Sequence, residues 1–130
     1  MSQRIIRTKL VGVTFRNDDG SKRQSLIRRR CRPGTVLRAI REPENEFDSD
    51  AICGWARGWL GRWGQIGYLS ADLAGDLAEL VDEGDRLTIR VLDVTGGWFR
   101  SRGVNVEIEV EGIRDVVDAK PKRRTKKPRR

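Results

Sequence analysis

Short segments that alternate apolar and polar residues run through most of this chain, separated by glycine, proline, asparagine and aspartate. Alternation with a period of two is typical of a β-strand with one buried face. In residues 104–110 every second residue is valine or isoleucine, and the residues between them are asparagine or glutamate. Because many short strands with few helices close more readily than they lie flat, this pattern indicates a small barrel or a highly curved sheet. The predicted strands are residues 7–16, 35–42, 51–57, 63–69, 86–94 and 103–110.

Residues 70–83 predict a helix, because their apolar residues recur at helical spacing along one stripe. This stripe consists of Leu73, Leu77, Leu80 and Val81. Ser70 can cap the first turn, and Gly84 suits the position after the last turn. Residues 22–31 fit either a short helix or a strand, and we favour the helix. The chain has 130 residues, the size of one domain, which we expect to occupy residues 1–117.

Charge is separated along the chain. The formal net charge is +8, yet residues 1–41 hold twelve basic and two acidic residues, whereas residues 42–118 hold seven basic and seventeen acidic ones. The last twelve residues contain eight basic residues and no acid, so we expect a disordered basic tail over residues 118–130. Such a tail can bind phosphate polyanions by releasing their counterions, or it can be a solubilising terminus. The tail residues assigned to phosphate contact are Lys122, Arg123, Arg124, Lys126, Lys127, Arg129 and Arg130.

The composition argues against several kinds of catalytic and metal site. The chain has no histidine, which excludes His-based triads and most zinc sites. Its two cysteines, Cys31 and Cys53, are too few for a disulfide framework. The carboxylates of residues 42–50 lack the spacing of a calcium loop, and no phosphate-binding loop of the GxxxxGK[ST] type occurs. We therefore predict a protein that is not an enzyme and that needs no metal or cofactor.

The sequence also bears on location. No apolar stretch approaches the roughly 20 residues of a membrane span. The first ten residues lack the apolar core of a signal peptide. We expect no membrane partner and a soluble cytoplasmic protein, associated with the nucleoid if the host is a bacterium.

Two segments together resemble the HIRAN domain, namely REPENEFDSDAI (residues 41–52) and GQIGYLSADLAGDLAELVDEG (residues 64–84). This module occurs at the N-terminus of certain fork-remodelling SNF2-type helicases and as small free-standing bacterial and phage proteins. Residues 9–29 and 95–110 look like the free-standing type, and the similarity covers residues 8–112. It implies a mainly β (α+β) fold, a small OB-like six-stranded barrel with one or two helices. It also implies binding of single-stranded DNA, particularly at a free 3′ end.

The resemblance further implies a site for the terminal nucleotide. In the helicase members an aromatic residue and an aspartate of one loop hold that nucleotide, and the matching loop positions here are Asn45, Glu46, Phe47 and Asp48. Phe15, near the end of the first strand, and Tyr68 match positions that line the same groove. A ring face that stacks on a base contributes about 1–3 kcal/mol per base.

Asp48 would accept a hydrogen bond from a terminal 3′-hydroxyl and repel a phosphate in the same place, or it only caps the turn before Ala51. Arg41 either reaches a phosphate or pairs with Glu42 or Asp48 and fixes the loop. The residues expected to supply a track for the DNA backbone are Arg7, Lys9, Arg16 and Arg38. Four substitutions relative to the family pattern weaken the phosphate clamp: Thr14 for an arginine, Glu46 for a proline, Phe47 for a tyrosine and Asp50 for an asparagine.

The segment GWARGWLGRWG (residues 54–64) is rich in tryptophan and arginine, and Trp55, Trp59 and Trp63 recur every four residues. This composition suits base stacking, cation–π contact or a protein hot spot. Alternatively, the tryptophans pin a hairpin to its own barrel. The same two alternatives, ligand contact or packing on the barrel, apply to Trp98 and Phe99 at another turn.

The preferred function is a non-catalytic module that binds single-stranded DNA or its 3′ end in DNA repair or replication. The alternative is an adaptor that recruits a DNA-processing enzyme, such as a helicase or nuclease, through the tryptophan-rich hairpin. A third and lower-ranked interpretation is a metal-dependent nuclease that uses the carboxylates of residues 42–50.

Overall fold

The computed structural model describes residues 3–112, which form six strands and two α-helices. A single 3-10 turn, Trp59–Gly61, joins the third and fourth strands. The elements are β1 (Gln3–Lys9), α1 (Arg23–Arg30), β2 (Val36–Arg41), β3 (Ile52–Arg57), β4 (Trp63–Tyr68), α2 (Ala71–Asp82), β5 (Arg86–Thr95) and β6 (Gly103–Glu111). The predicted fold class and the favoured helix at 22–31 are thus confirmed. The predicted basic tail lies outside the described residues, as does the predicted end of the domain at residue 117.

The strands form one antiparallel sheet in the order β1-β6-β5-β2-β3-β4. Its two edges meet at one point, where Val11 and Tyr68 exchange backbone hydrogen bonds of 2.8 and 2.9 Å. The sheet therefore curves around a core as an OB-like barrel does, but it is not closed by a full ladder of hydrogen bonds.

The predicted first strand, residues 7–16, was wrong in its bounds, because β1 ends at Lys9. Gly12 has φ +69°, a left-handed conformation that interrupts an extended strand. The chain leaves β6 at this point and pairs Val11 with Tyr68 of β4. Phe15, expected near the end of a strand, consequently lies in the turns that lead to α1.

Alternate residues of β6 are buried as the sequence pattern predicts, and they pack on apolar side chains from both helices and the neighbouring strands. Leu77 of α2 is fully buried in this core. The Ser70 hydroxyl accepts a hydrogen bond from the Leu73 N–H at 3.3 Å, so it caps α2 as expected. Gly84 follows the helix with φ +109°.

Candidate nucleic-acid interface

A groove with a volume of about 500 Å³ opens where the loop between β2 and β3 approaches the end of β4. We call it the loop groove, and it brings together three residues that the sequence assigned to one site, Asn45, Phe47 and Tyr68. Glu46, from the same predicted loop, also lines it. The remaining lining residues, which the sequence did not assign, are Asp18, Arg23, Glu42, Glu44 and Gln65.

Asn45 shapes the loop on which Phe47 sits. Its Oδ1 accepts hydrogen bonds from the backbone N–H groups of Phe47 and Asp48, at 2.8 and 3.0 Å. Its Nδ2 donates to Oε1 of Glu42 at 2.9 Å. The Phe47 side chain is 92% exposed at the rim of the groove, so it is not a core aromatic, and its ring face is accessible to a base.

Asp48 lies beside this groove but is not one of the residues that line it. Its Oδ1 accepts a hydrogen bond from the Asp50 N–H at 2.9 Å, and its carbonyl oxygen accepts one from Ala51 N–H at 3.0 Å. Asp48 therefore caps the turn before Ala51, as one of the two alternatives anticipated. Its Oδ2 makes no hydrogen bond within the described part of the chain.

Glu42 connects this loop to the floor of the groove. Its Oε1 accepts a hydrogen bond from the Tyr68 hydroxyl at 2.8 Å, and its Oε2 accepts one from the Cys53 thiol at 3.2 Å. Burial alone would raise the pKa of the Glu42 carboxyl. The hydrogen bonds from Asn45, Tyr68 and Cys53 outweigh that effect and hold this pKa below its usual range. Glu42 is therefore a charged acceptor in the groove rather than a solvated member of an acidic loop.

The same carboxylate acts on its neighbours. Burial raises the pKa of the Tyr68 hydroxyl, and the hydrogen bond to the Glu42 carboxylate and its charge add to this effect. Burial raises the pKa of the Cys53 thiol to about 12, and the Glu42 carboxylate contributes. Cys31 is also buried, and burial raises its pKa to about 11. Both thiols stay protonated and poorly nucleophilic at neutral pH.

Arg23, in the first turn of α1, is the cation of the loop groove, and its residue surface is only 7% exposed. Nε donates to Oδ1 of Asn17 at 2.7 Å, and Nη1 donates to the Gly12 carbonyl at 2.8 Å. The guanidinium carbon lies 5.4 Å from the centroid of the Tyr68 ring, within range of a cation–π contact. The arginine is thus held rigidly against the aromatic floor of the groove.

Sequence reasoning missed Arg23, although a signal was present. Arg23, Leu26 and Ile27 occupy positions i, i+3 and i+4 of α1, and all three are buried. Helical spacing with two core residues places the arginine on the inner face of α1. Uncertainty about whether residues 22–31 form a helix or a strand concealed this relationship.

Gln65 on β4 was also missed. Its residue surface is 8% exposed, and its Nε2 is a buried donor without a hydrogen-bond partner among the described residues. A buried amide donor that lacks a partner carries a free-energy cost of about 1–3 kcal/mol. Because Gln65 lines the groove, a ligand acceptor in the groove could satisfy it.

Phe15 lies near Arg23 and Tyr68 of the loop groove, around the backbone of Gly12. A side chain at Gly12 would lie 3.4 Å from Nη1 of Arg23, 3.6 Å from Cδ2 of Phe15 and 3.7 Å from Cδ1 of Tyr68. These three side chains therefore surround the Gly12 backbone. Phe15 is 65% exposed, so part of its ring is open to solvent beside the groove.

Arg41 lies away from the groove. Its guanidinium donates to both carboxylate oxygens of Asp82 on α2, at 2.9 and 3.0 Å. It also donates to the carbonyl oxygens of Ser49 and Ala51, at 2.8 and 3.3 Å. Arg41 therefore does fix the loop, but the expectation that its partner is Glu42 or Asp48 was wrong. Its side chain lies close enough to α2 to pair with Asp82 instead.

The residues predicted to form a backbone track do not form one continuous row. Lys9 is exposed at the end of β1, and its Cε lies 3.6 Å from the position that a Cβ atom at Gly103 would occupy. Arg16 donates to the Gly20 carbonyl at 2.9 Å and closes its own turn. Arg38 lies 4.3 Å above the Trp63 ring on the β2–β3–β4 face. Arg7 pairs with Glu107 at 3.2 Å across β1 and β6.

The tryptophan-rich segment divides into two parts. Trp55 and Trp63 are half-buried on their own sheet, where Trp55 Nε1 donates to the Cys53 thiol at 3.0 Å and Trp63 lies beneath Arg38. Trp59 projects into solvent and is 84% exposed. The hairpin is thus pinned to the barrel by two tryptophans and presents a third.

The electrostatic character of the loop groove is acidic. Asp18, Glu42, Glu44 and Glu46 line it, whereas Arg23 supplies the positive charge. A groove of this kind disfavours a phosphate inside it and suits hydroxyl groups and base edges, which can donate hydrogen bonds to carboxylates. In residues 3–112 no group of three or more acidic or cysteine side chains is arranged to hold a metal ion. Neither helix within this range has the length and apolarity to cross a membrane.

Comparison with known proteins places this geometry in a family. Curated protein sequences give no match. The crystal structure of the HIRAN domain of human HLTF is similar with a TM-score of 0.58 at 20% identity, covering 83% of this chain and 75% of that one. A protein from Lactobacillus plantarum is similar with a TM-score of 0.59 at 20% identity, covering 85% of this chain and all of that one. At this identity the two likenesses support the fold alone.

The sequence profile of the HIRAN domain matches residues 4–111, which is most of the chain. HIRAN domains are in general DNA-binding modules rather than catalysts. The matched range contains both segments that resembled the family and all of the described core. The chain therefore belongs to the HIRAN domain family.

Proposed function

We propose that this chain is a non-catalytic module that binds single-stranded DNA at its free 3′ end. The observation that carries the proposal is the position of Phe47, an exposed ring at the rim of a groove lined with carboxylates. The ring offers a stacking face to the last base, and the carboxylates offer acceptors to the sugar hydroxyl at the end of the strand. Membership of a family of DNA-binding modules supports the choice of ligand.

The acidic groove supplies end selectivity by repulsion as well as attraction. A terminal 3′-hydroxyl donates a hydrogen bond to a carboxylate, whereas a 3′-phosphate or an internal phosphodiester places negative charge next to negative charge. Glu42 stays ionised because of the hydrogen bonds that it accepts, so this repulsion persists at neutral pH. Oδ2 of Asp48, beside the groove, is the second acceptor in the proposal.

Two further groups bind the terminal nucleotide in this account. Nε2 of Gln65 donates to an acceptor on the base and so gains the partner that it lacks in the free protein. Nη2 of Arg23, which is not used in the hydrogen bonds to Asn17 and Gly12, donates to an acceptor atom of the terminal nucleotide at the floor of the groove. The basic tail beyond the described residues adds affinity that depends on salt and not on sequence.

The proposal is tested with matched oligonucleotides that end in a 3′-hydroxyl or a 3′-phosphate, measured by fluorescence anisotropy on the full chain. We expect the hydroxyl-ended strand to bind about tenfold more tightly, which corresponds to about 1.4 kcal/mol. Asp48→Asn and Glu42→Gln should each reduce this preference by weakening the repulsion of phosphate. Equal affinity of the wild-type chain for the two strands would contradict end recognition.

A further inference from the structure

Two hairpin tips present exposed aromatic side chains that do not line the loop groove. Trp59 and Leu60, between β3 and β4, are 84% and 79% exposed, and Trp98 and Phe99, between β5 and β6, are 88% and 92% exposed. Leu60 has φ 63° and ψ 20°, a left-handed conformation that is unfavourable for a leucine. Side chains this exposed contribute little to packing of the fold, so their rings are available to a ligand.

Helix α1 holds the two hairpins at a fixed separation. In its first turn, Gln24 exchanges hydrogen bonds of 2.9 and 2.7 Å with the backbone of Arg102, at the base of the β5–β6 hairpin. In its last turn, Arg30 donates to the carbonyl oxygens of Ala56 and Arg62, which flank the β3–β4 hairpin, at 3.2 and 3.4 Å. Gln24 and Arg30 are six residues apart, so these two attachment points lie about 9 Å apart along α1.

The surface formed by α1 and these two tips is basic and has no acidic residue of its own. No aspartate or glutamate occurs in residues 20–41, 51–71 or 94–106, which include these three elements. Within the described residues, none of its exposed arginines is in an ion pair. These arginines are Arg28, Arg29, Arg57, Arg62 and Arg100.

Each hairpin also places an arginine across the glycine of its tip. A side chain at Gly61 would lie 3.4 Å from Nη2 of Arg57, and a side chain at Gly97 would lie 3.5 Å from Nη2 of Arg102. The two tips therefore share one arrangement, a planar guanidinium beside a glycine that lies one or two residues from an exposed tryptophan. Guanidinium groups suit phosphate oxygens, and ring faces suit unpaired bases.

We propose that α1 and the two tips form a second nucleic-acid surface, which we call the hairpin surface. Its arginines hold the phosphates of a single strand, and Trp59 and Trp98 stack on its unpaired bases. A duplex would not offer those bases to the rings, and the carboxylates of an acidic protein would be attracted to the arginines but not to the negative faces of the exposed rings. The hairpin surface takes any internal stretch of a strand, because nothing in it selects a terminus.

A covalently closed circle of single-stranded DNA tests this inference, because it has phosphates and bases but no end. Anisotropy is measured on the full chain, so that the basic tail is the same in every variant. We expect Trp59→Ala/Trp98→Ala to lower affinity for the circle by about tenfold or more, since each stacked base is lost. Phe47→Ala, which alters the loop groove alone, should leave that affinity within about twofold.

The arginines are tested through the dependence of affinity on salt. Arg28→Gln/Arg29→Gln should reduce the slope of log K against log salt by about 1.4, because each phosphate contact on a single strand contributes about 0.7. The matched control is Arg86→Gln/Arg90→Gln, which removes the same charge from β5 positions that lie opposite Glu111 and Glu107. This control should leave the slope unchanged.

Two results would overturn the inference. The first is a circle that binds the wild-type chain and the tryptophan variant equally. The second is displacement of the circle by polyglutamate of matched charge, if the tryptophan variant also loses as much affinity for polyglutamate as it loses for the circle. That result would identify a surface for an acidic protein partner. Neither result depends on preference for a 3′-hydroxyl, so this inference can fail while end recognition stands.

Discussion

The hydroxyl of Tyr68 donates a hydrogen bond of 2.8 Å to Oε1 of Glu42, and this contact joins the end of β4 to the loop between β2 and β3. The backbone of Tyr68 pairs with Val11 at the same point, where the two edges of the sheet meet. One residue thus fixes both the closure of the sheet and the position of the carboxylate in the groove. The account of end recognition depends on this arrangement.

Tyr68→Phe should loosen the loop without disturbing the core. The ring and the backbone bridge to Val11 remain, but Glu42 loses one of its donors, so its pKa should rise. We expect a loss of about 1.5–3 kcal/mol in the free energy of unfolding, the usual contribution of one hydrogen bond to a charged group. Carboxyl chemical shifts measured against pH and denaturant unfolding test the two effects, and an unchanged Glu42 pKa would contradict the contact.

The stability of the fold should fall in acid partly because of Glu42. Since its pKa is lower in the folded protein than the ordinary value of 4.5, its contribution is fully present above that pH. The contribution is lost as the pH falls through the folded pKa. Glu42→Gln removes the titrating group, so its free energy of unfolding should decline less steeply than that of the wild type below pH 4.5. Parallel decline of both proteins would show that Glu42 is not held as described.

Gly12→Ala should be costly, because its φ of +69° is unfavourable for alanine by about 1–2 kcal/mol. The new methyl group would lie in van der Waals contact with Arg23, Phe15 and Tyr68, at 3.4–3.7 Å. Gly20→Ala is the matched control, because Gly20 has φ +90° but no atom within 4 Å of the added carbon. The two variants should lose similar stability, but only Gly12→Ala should bind a hydroxyl-ended strand more weakly, because its methyl group contacts groove residues. Equal affinity of the two variants for that strand would indicate that the groove does not reach Gly12.

Arg41→Lys separates the two roles that the sequence left open. Lysine keeps the charge that a phosphate contact needs, but it cannot reproduce the paired hydrogen bonds to Asp82 together with those to Ser49 and Ala51. If Arg41 acts by positioning the loop, we expect a loss of about 1–2 kcal/mol in stability and a smaller preference for a 3′-hydroxyl end. Unchanged stability with an altered salt dependence would instead identify a direct phosphate contact.

Local patterns predicted most of the fold. The alternation in β6 and the capped apolar stripe of α2 depend on neighbouring residues alone, and both were confirmed. The end of β1 was misplaced because the residue type of Val11 suits an extension of β1 as well as a bridge to β4. Its pairing with Tyr68 joins distant parts of the chain, so neighbouring residues do not indicate it.

The candidate site was harder to predict for the same reason. A loop motif can identify Phe47, but burial of Arg23 and the missing partner of Gln65 depend on how α1 and β4 pack together. Likewise, the partner of Arg41 is Asp82, which lies 41 positions away in the sequence. The sequence placed Trp55, Trp59 and Trp63 in one segment with a spacing of four residues. Which of these side chains is half-buried and which is exposed depends on how the segment packs on the sheet.

The most direct test of the central claim is to locate the last nucleotide. An oligonucleotide with a photoreactive base at its 3′-terminal position is crosslinked to the full chain, and the attachment is mapped by mass spectrometry. A matched strand with the same base at its 5′ terminus is the control. The account predicts that the 3′ probe attaches to residues 42–48 or Tyr68 and that the 5′ probe does not. Attachment of the 3′ probe to the hairpin tips or the tail, with none at this loop, would contradict it.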